Sequence, residues 1–193
     1  MTDNSMLPPA NGQAWPLAAA ELPRRGRPLL SVVVIMVSSA LLGVGAGALW
    51  SAVAPRVVYQ VVSLRPPTAY AVNPETNAFI AADGWYCFIA LAGGLLIGLL
   101  SYIFAVRRYG PAPMAAVVVG SIAAAFLAKW VGHQLSGGPG FDRVLATSKS
   151  GELLHAPIML GSPGALAFWP LAAAIVAGGL ELISVLRVRH RTA

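Results

Sequence analysis

The chain of 193 residues has a single cysteine, Cys87. A lone thiol excludes an internal disulfide framework. With only three histidines beside it, the residues for a metal site are few and scattered. A metal needs several converging, deprotonated ligands, so neither metal nor cofactor is expected. Charge is scarce as well: Asp, Glu, Lys and Arg make up 10% of the chain, against about 25% in a soluble domain. That is too little to cover a globule. Disorder over most of the chain is excluded too, because it requires low hydrophobicity and high charge. No Gly-rich phosphate loop is present, since Gly43 to Gly47 and Gly93-Gly94 fall within apolar runs. Gly161-Ser162-Pro163-Gly164 is no nucleophile elbow, because Pro163 spoils the pattern and no sheet precedes it.

What the chain has in abundance is apolar sequence. Residues of the AVILMFWYC set reach 57%, and the mean hydropathy is +0.71. Crossing a bilayer core takes about 20 apolar residues, and four segments qualify: 28–54, 84–106, 111–135 and 163–186. The third is interrupted by Lys129 and the fourth by Glu181. The predicted fold is an all-α membrane protein, a four-transmembrane-helix bundle over 28–187. A disordered, proline-bearing tail, 1–27, precedes it and a short basic tail, 188–193, follows. The apolar run of the first span exceeds the ~7–15 residues of a signal-peptide core, which makes it an uncleaved anchor.

Arginine sets the direction. Arg24, Arg25, Arg27, Arg107, Arg108, Arg187, Arg189 and Arg191 gather on one side of the spans, which the positive-inside rule makes cytoplasmic. Both termini are then cytoplasmic, in a multi-pass protein of a bacterial plasma membrane. The net charge of +6 reads as topology, not as a nucleic-acid site. Trp50, Trp85, Trp130 and Trp169 all fall at the outer end of their spans, as an aromatic belt would place them.

Two outer loops, 55–83 and 135–163, are too long to be simple connections. Arg56 to Val62 is rich in β-formers. Thr68 to Val72 and Asn77 to Ala81 flank a turn at Asn73-Pro74-Glu75-Thr76, and Val144 to Thr147 and Leu153 to Leu160 flank another at Lys149-Ser150-Gly151-Glu152. These predict short antiparallel strands from both loops, forming a small extracytoplasmic β cap. The layout reads as two successive hairpins of spans, a parallel repeat. Ser162 is placed to cap the fourth helix with Pro163 at its first position.

Small residues recur every four positions along each span, where helices in lipid can approach closely. Gly43 and Gly47, Gly94 and Gly98, Gly120, and Gly178 mark these rows. They predict packing within one chain first, and an oligomer interface second.

Ionisable groups inside a membrane are functional candidates by default. Lys129 and Glu181 lie roughly 20 Å apart in depth by the helical rise, too far to pair. Lys129 is expected to snorkel outward and to meet Asp83, itself placed to cap the second helix. Glu181 is expected to meet Arg107 or Arg108. His133 stands one turn beyond Lys129. No catalytic constellation emerges from Asp83, Lys129, His133 and Glu181.

The runs Ala82-Asp83-Gly84-Trp85-Tyr86, Ala92-Gly93-Gly94-Leu95-Leu96-Ile97-Gly98 and Trp169-Pro170-Leu171, in this four-span layout, resemble a family of uncharacterised actinobacterial, especially mycobacterial, transmembrane proteins defined as a domain of unknown function. Eleven of thirteen basic residues are Arg, a bias that suits a high-GC genome. The resemblance implies location and topology but no activity. The expectation is a non-enzymatic accessory, assembly or scaffold subunit. Its partners would be the lipid bilayer and a membrane protein or further copies of itself, not nucleic acid. A small transporter or channel is the alternative, and a lipid-acting membrane enzyme built on Asp83, Lys129 and His133 is a second.

Overall fold

A computed structural model of the chain describes residues 28–64, 67–72 and 77–192. The expected tail over 1–27 and the turn over 73–76 lie outside these residues. The fold is mostly helical. It runs α1 (Pro28–Val53), β1 (Val58–Leu64), β2 (Pro67–Ala71), α2 (Ala78–Ser101), a π-helical turn (Tyr102–Val106), α3 (Arg107–Tyr109) and α4 (Pro111–Leu135). A 3-10 turn (Gly138–Gly140), α5 (Phe141–Thr147), β3 (Leu153–His155), a second 3-10 turn (Pro163–Ala167) and α6 (Phe168–Thr192) complete it.

Four helical stretches are long and apolar enough to cross a membrane: Leu29–Val53, Ala78–Tyr109, Pro111–Leu135 and Pro163–Arg187. The second starts before the expected Gly84, and Asn77 to Ala81 is the opening of a helix, not a strand. Ala78, Ala81 and Ala82 are good helix formers, and the Ala81 N–H closes the first turn on the Asn77 carbonyl at 2.8 Å. The reversal between the second and third spans takes one residue. Gly110 adopts φ +78°, open to glycine at no steric cost. Pro111 then supplies the pre-set first position of α4.

The spans do not pair as successive hairpins. α1 packs chiefly on α4, and α2 on α6, each on the span two further along the chain. The small-residue rows explain this. A Cβ added to Gly43 would stand 2.6 Å from the Ala124 carbonyl oxygen, and one on Gly47 would stand 2.6 Å from that of Ala128. Further along the same seam, Gly120 faces Ser39 and Gly132 faces Trp50. The contacts advance by four residues on both helices in the same direction, so α1 and α4 run parallel. Gly94 and Gly98 bring α2 equally close to the backbone of Trp169 and Ala173 on α6. Gly178 makes no such approach: its nearest neighbour is the Met114 methyl, at 3.5 Å. Gly93, which seats the Trp169 ring, takes a packing role that the four-residue rows did not single out.

The tryptophans divide. Trp85 and Trp130 are exposed, as a belt requires, but Trp50 and Trp169 are fully buried between helices. The glycines opposite them leave room for indole rings inside the bundle. Tyr102 is also buried, and its hydroxyl donates to the Leu180 carbonyl of α6 at 3.1 Å. The core has two parts, one around Trp50, Tyr86 and Trp169 and one around Ile35, Ile97 and Val117.

A three-stranded antiparallel sheet of order β2-β1-β3 sits at one end of the bundle and draws on both long loops. Tyr59 pairs with Ala71 and Gln60 with Tyr70, and on the other side Val58 pairs with His155 and Gln60 with Leu153. Val144 to Thr147 is helical, within α5, where a strand was expected. Asp142 in its first turn suits the helix dipole, and the Thr147 hydroxyl donates back to the carbonyls of Arg143 and Val144. The turn at Lys149 to Glu152 therefore joins a helix to β3. The strand expected to reach Leu160 stops at His155, just before Pro157, which has no N–H to give a ladder.

Candidate functional site

The sequence candidates concentrate at the cap end of the bundle, where residues 156–162 cross the helix tops. Asp83 lies on α2, past its first turn, so it does not cap that helix; Asn77 occupies the cap position, and its side chain makes no cap bond. The Asp83 carboxylate instead accepts the N–H groups of Gly161 at 2.9 Å and Ser162 at 2.8 Å. Ser162 does precede the 3-10 turn that leads into α6, but its hydroxyl makes no cap bond. Its backbone carbonyl accepts from Ala165 at 3.1 Å instead.

His133 holds the same crossing segment from α4. Its Nδ1 stands 3.1 Å from the Ile158 carbonyl. That oxygen can only accept, so Nδ1 carries the proton and donates. Ser136 completes the clamp: its hydroxyl donates to the His133 carbonyl at 2.9 Å and accepts the Ile158 N–H at 3.0 Å. A Cβ at Gly138 would fall on the His133 ring, so the Gly-Pro-Gly turn is shaped around the imidazole. Asp83, through its carboxylate, and His133, through Nδ1, thus fasten one loop at two points three residues apart.

Beneath this loop the helices are tied by side-chain to backbone bonds. The Trp50 indole N–H donates to the Ala82 carbonyl at 2.8 Å, and the Tyr86 hydroxyl donates to that of Ala125 at 2.7 Å. The two rings meet edge to face, 5.2 Å between centroids. Trp169 lacks such a bond, and its buried indole nitrogen has no hydrogen-bond partner among the described residues.

The expected ion pairs do not form. Lys129 and Glu181 are both exposed, and neither makes an ion pair among the described residues. Asp83 is committed to backbone N–H groups, which removes the partner proposed for Lys129. Arg107 and Arg108 are exposed at the opposite end of the bundle. The buried polar side chains among the described residues are Ser39, Ser101, Ser121 and Ser136, and the hydroxyls of Ser39 and Ser121 have no partner. Among the described residues no three His, Cys, Asp or Glu gather as metal ligands. Cys87 is free and half-buried.

Asp83 and His133 thus serve as fasteners of the crossing loop. Sequence reasoning passed over Ser136, and it passed over a small cavity at this end, lined by Tyr59, Phe79, Phe141 and Met159 among others. Its walls come from segments far apart in the chain, three of them read as strands, so no local pattern marks it.

No family model matches the chain, and neither a curated protein nor a solved structure matches it.

Proposed function

We propose that this chain is a multi-pass protein of a bacterial plasma membrane, with both termini cytoplasmic, that acts as a non-enzymatic assembly or accessory subunit and presents its cap outward to a partner. The observation that carries the reading is the outward face of the sheet. Tyr70, Gln60 and Leu153 form one row across the three strands, and Tyr70, Leu153, Val62 and Val72 are all exposed. Exposed apolar clusters of this kind mark interaction surfaces. The helix interior supports the same reading. Among the described residues its buried polar side chains are four serines and no ionisable group. The resemblance to actinobacterial four-span proteins agrees with the proposed membrane and direction.

The test is affinity purification of a tagged full chain from its native membrane in mild detergent, beside Tyr70→Glu and Leu153→Glu. A stoichiometric partner retained by the parent and lost from both variants is the expected result. Solute or ion flux through vesicles containing this chain alone would overturn the reading in favour of transport.

A further inference from the structure

The sheet has two outer edges, and its ladder bonds fix which backbone groups each one turns outward. The Val61 N–H donates to the Glu152 carbonyl at 3.0 Å, and the Ala156 N–H donates to the Val57 carbonyl at 2.9 Å. Bonded and non-bonded pairs alternate along an antiparallel ladder. Leu154 therefore turns its backbone groups toward Tyr59, while Leu153 and His155 turn theirs away from β1. Among the described residues nothing pairs with those outward groups. The side chains of Leu153 and His155 are exposed as well. At the other edge the outward groups belong to Ala69 and Ala71, because the Val72 N–H donates to the Val58 carbonyl. There α5 packs against β2. The open edge is β3, and an open edge is a template for a further strand.

That edge is complementary to itself. About a two-fold axis through Leu154, Leu153 exchanges both bonds with the partner's His155, and His155 with the partner's Leu153. Every outward backbone group of β3 is then satisfied. The flanks stop the pairing at these residues. Pro157 has no N–H to give, and Gly151 and Glu152 are bonded to Val61 and within their own turn. Charge does not oppose the contact. Each His155 meets a leucine, and the Glu152 carboxylate accepts the Lys149 N–H at 2.8 Å.

A bilayer asks for the same axis. In a symmetric dimer of copies inserted in one direction, the two-fold runs along the membrane normal. Antiparallel edge pairing sets its two-fold perpendicular to the sheet. This sheet lies across the helix ends, since Val57 and Tyr59 of β1 face Ala78, Phe79 and Ala82 of α2 across the cap cavity.

We propose that two copies of this chain join through β3, making one continuous six-stranded sheet over two bundles. The inference rests on the membrane reading for the shared direction of the copies, and it names one partner of the cap. Tyr70, Gln60 and Leu153 of one copy then continue in a row with the partner's His155, Val58 and Val72. The outward face is extended by the contact, not covered.

The test is disulfide formation in native membranes, in a Cys87→Ser chain. Leu154→Cys sets two thiols across the axis with Cα atoms about 4.5 Å apart, within disulfide reach, and mild oxidation is expected to give a covalent dimer. Leu153→Cys or His155→Cys alone stands about 8 Å from its own copy by strand spacing and rise. That is beyond disulfide reach, so each alone stays monomeric and the two expressed together cross-link. His155→Pro removes an outward donor and no bond of the chain's own ladder. It is expected to abolish the Leu154→Cys dimer, whereas Tyr70→Glu, on the far strand, leaves it unchanged. The cysteine pattern decides by itself where the proline variant does not fold. No dimer from Leu154→Cys, or equal yields from the three single cysteines, overturns the inference. A monomeric chain that still retains a different stoichiometric protein overturns it and leaves the proposed function standing. The expected cross-links with no other protein retained uphold the inference and overturn the proposed function instead.

Discussion

Gly43→Ala isolates the seam that sets the arrangement of the spans. The new methyl carbon would stand 2.6 Å from the Ala124 carbonyl oxygen and 2.8 Å from its Cα. Both are backbone atoms, so no rotamer change relieves the clash. Ordinary contact begins near 3.4 Å, so α1 and α4 must part by about 0.8 Å at this point. A gap of ~0.5–1 Å forfeits a quarter to a half of each contact's dispersion attraction, itself ~0.1–0.2 kcal/mol. Across roughly 40 atom pairs, the number one buried leucine makes, the loss is about 2 kcal/mol. Overpacking elsewhere costs about 1–3 kcal/mol, the same range. Gly45→Ala is the control on the same helix. Nothing stands within 4 Å of its Cβ position, and alanine favours a helix, so it should be neutral or slightly stabilising. The assay is unfolding of the purified chain in mixed micelles with increasing dodecyl sulfate, followed by circular dichroism. Equal midpoints for Gly43→Ala and Gly45→Ala would refute the close-approach argument.

Trp50→Phe removes the donor to the Ala82 carbonyl and should lower stability by about 1–3 kcal/mol, whereas Trp130→Phe, on an exposed ring, should leave the same unfolding midpoint unchanged. Asp83→Ala frees the Gly161 and Ser162 amides and should speed their hydrogen exchange; Asp83→Asn, which still offers one oxygen, should fall between, and equal rates in all three chains would sink the clamp. Ser39→Ala and Ser121→Ala remove buried hydroxyls that make no bond, so each should be neutral or stabilising, and a loss above about 1 kcal/mol would show that a partner exists. Lys129→Met and Glu181→Gln alter exposed, unpaired groups and should shift stability by less than about 0.5 kcal/mol in the same assay.

The spans were legible in sequence because their signal is local and long. Uncharged apolar runs, Pro111 after Gly110 and rows of small residues each mark a helix or its close face without reference to the rest of the fold. The rows also marked the close contacts on the first three spans but not on the fourth, where Gly178 makes none, and they could not say which row meets which. That choice depends on matching shapes, such as Gly132 opposite Trp50, between residues 82 positions apart. The tryptophans show the same limit. All four lie at the cap end of their helices, as read, but depth along a span does not decide which way a ring faces. Trp50 and Trp169 turn inward because Gly132 and Gly93 leave room.

The cap misled where local signals were weakest. β-propensity at Val144 and at Phe79 to Ile80 is real, yet the first lies in α5 and the second opens α2. A strand there would need a partner edge. β1 has two edges, already taken by β2 and β3. The expected Lys129–Asp83 pair failed for a related reason. Two loop amides compete for Asp83 without holding a long side chain in place, and a lysine on an exposed face gives up little by remaining in solvent or headgroups. Charge proximity in sequence therefore predicted the level of Asp83 in the fold but not its partner, and the polar residues at the cap end became loop fasteners. What lies beneath the loop they fasten is the apolar cavity, and its walls exist only once residues 55–59, 78–82, 141 and 156–159 have come together. Fastening and cavity are then one device. Loosening Asp83 or His133 should loosen the cavity wall as well as free the loop, so Asp83→Ala is expected to speed hydrogen exchange at the Ile158 amide, which Ser136 and not Asp83 accepts, as well as at Gly161 and Ser162.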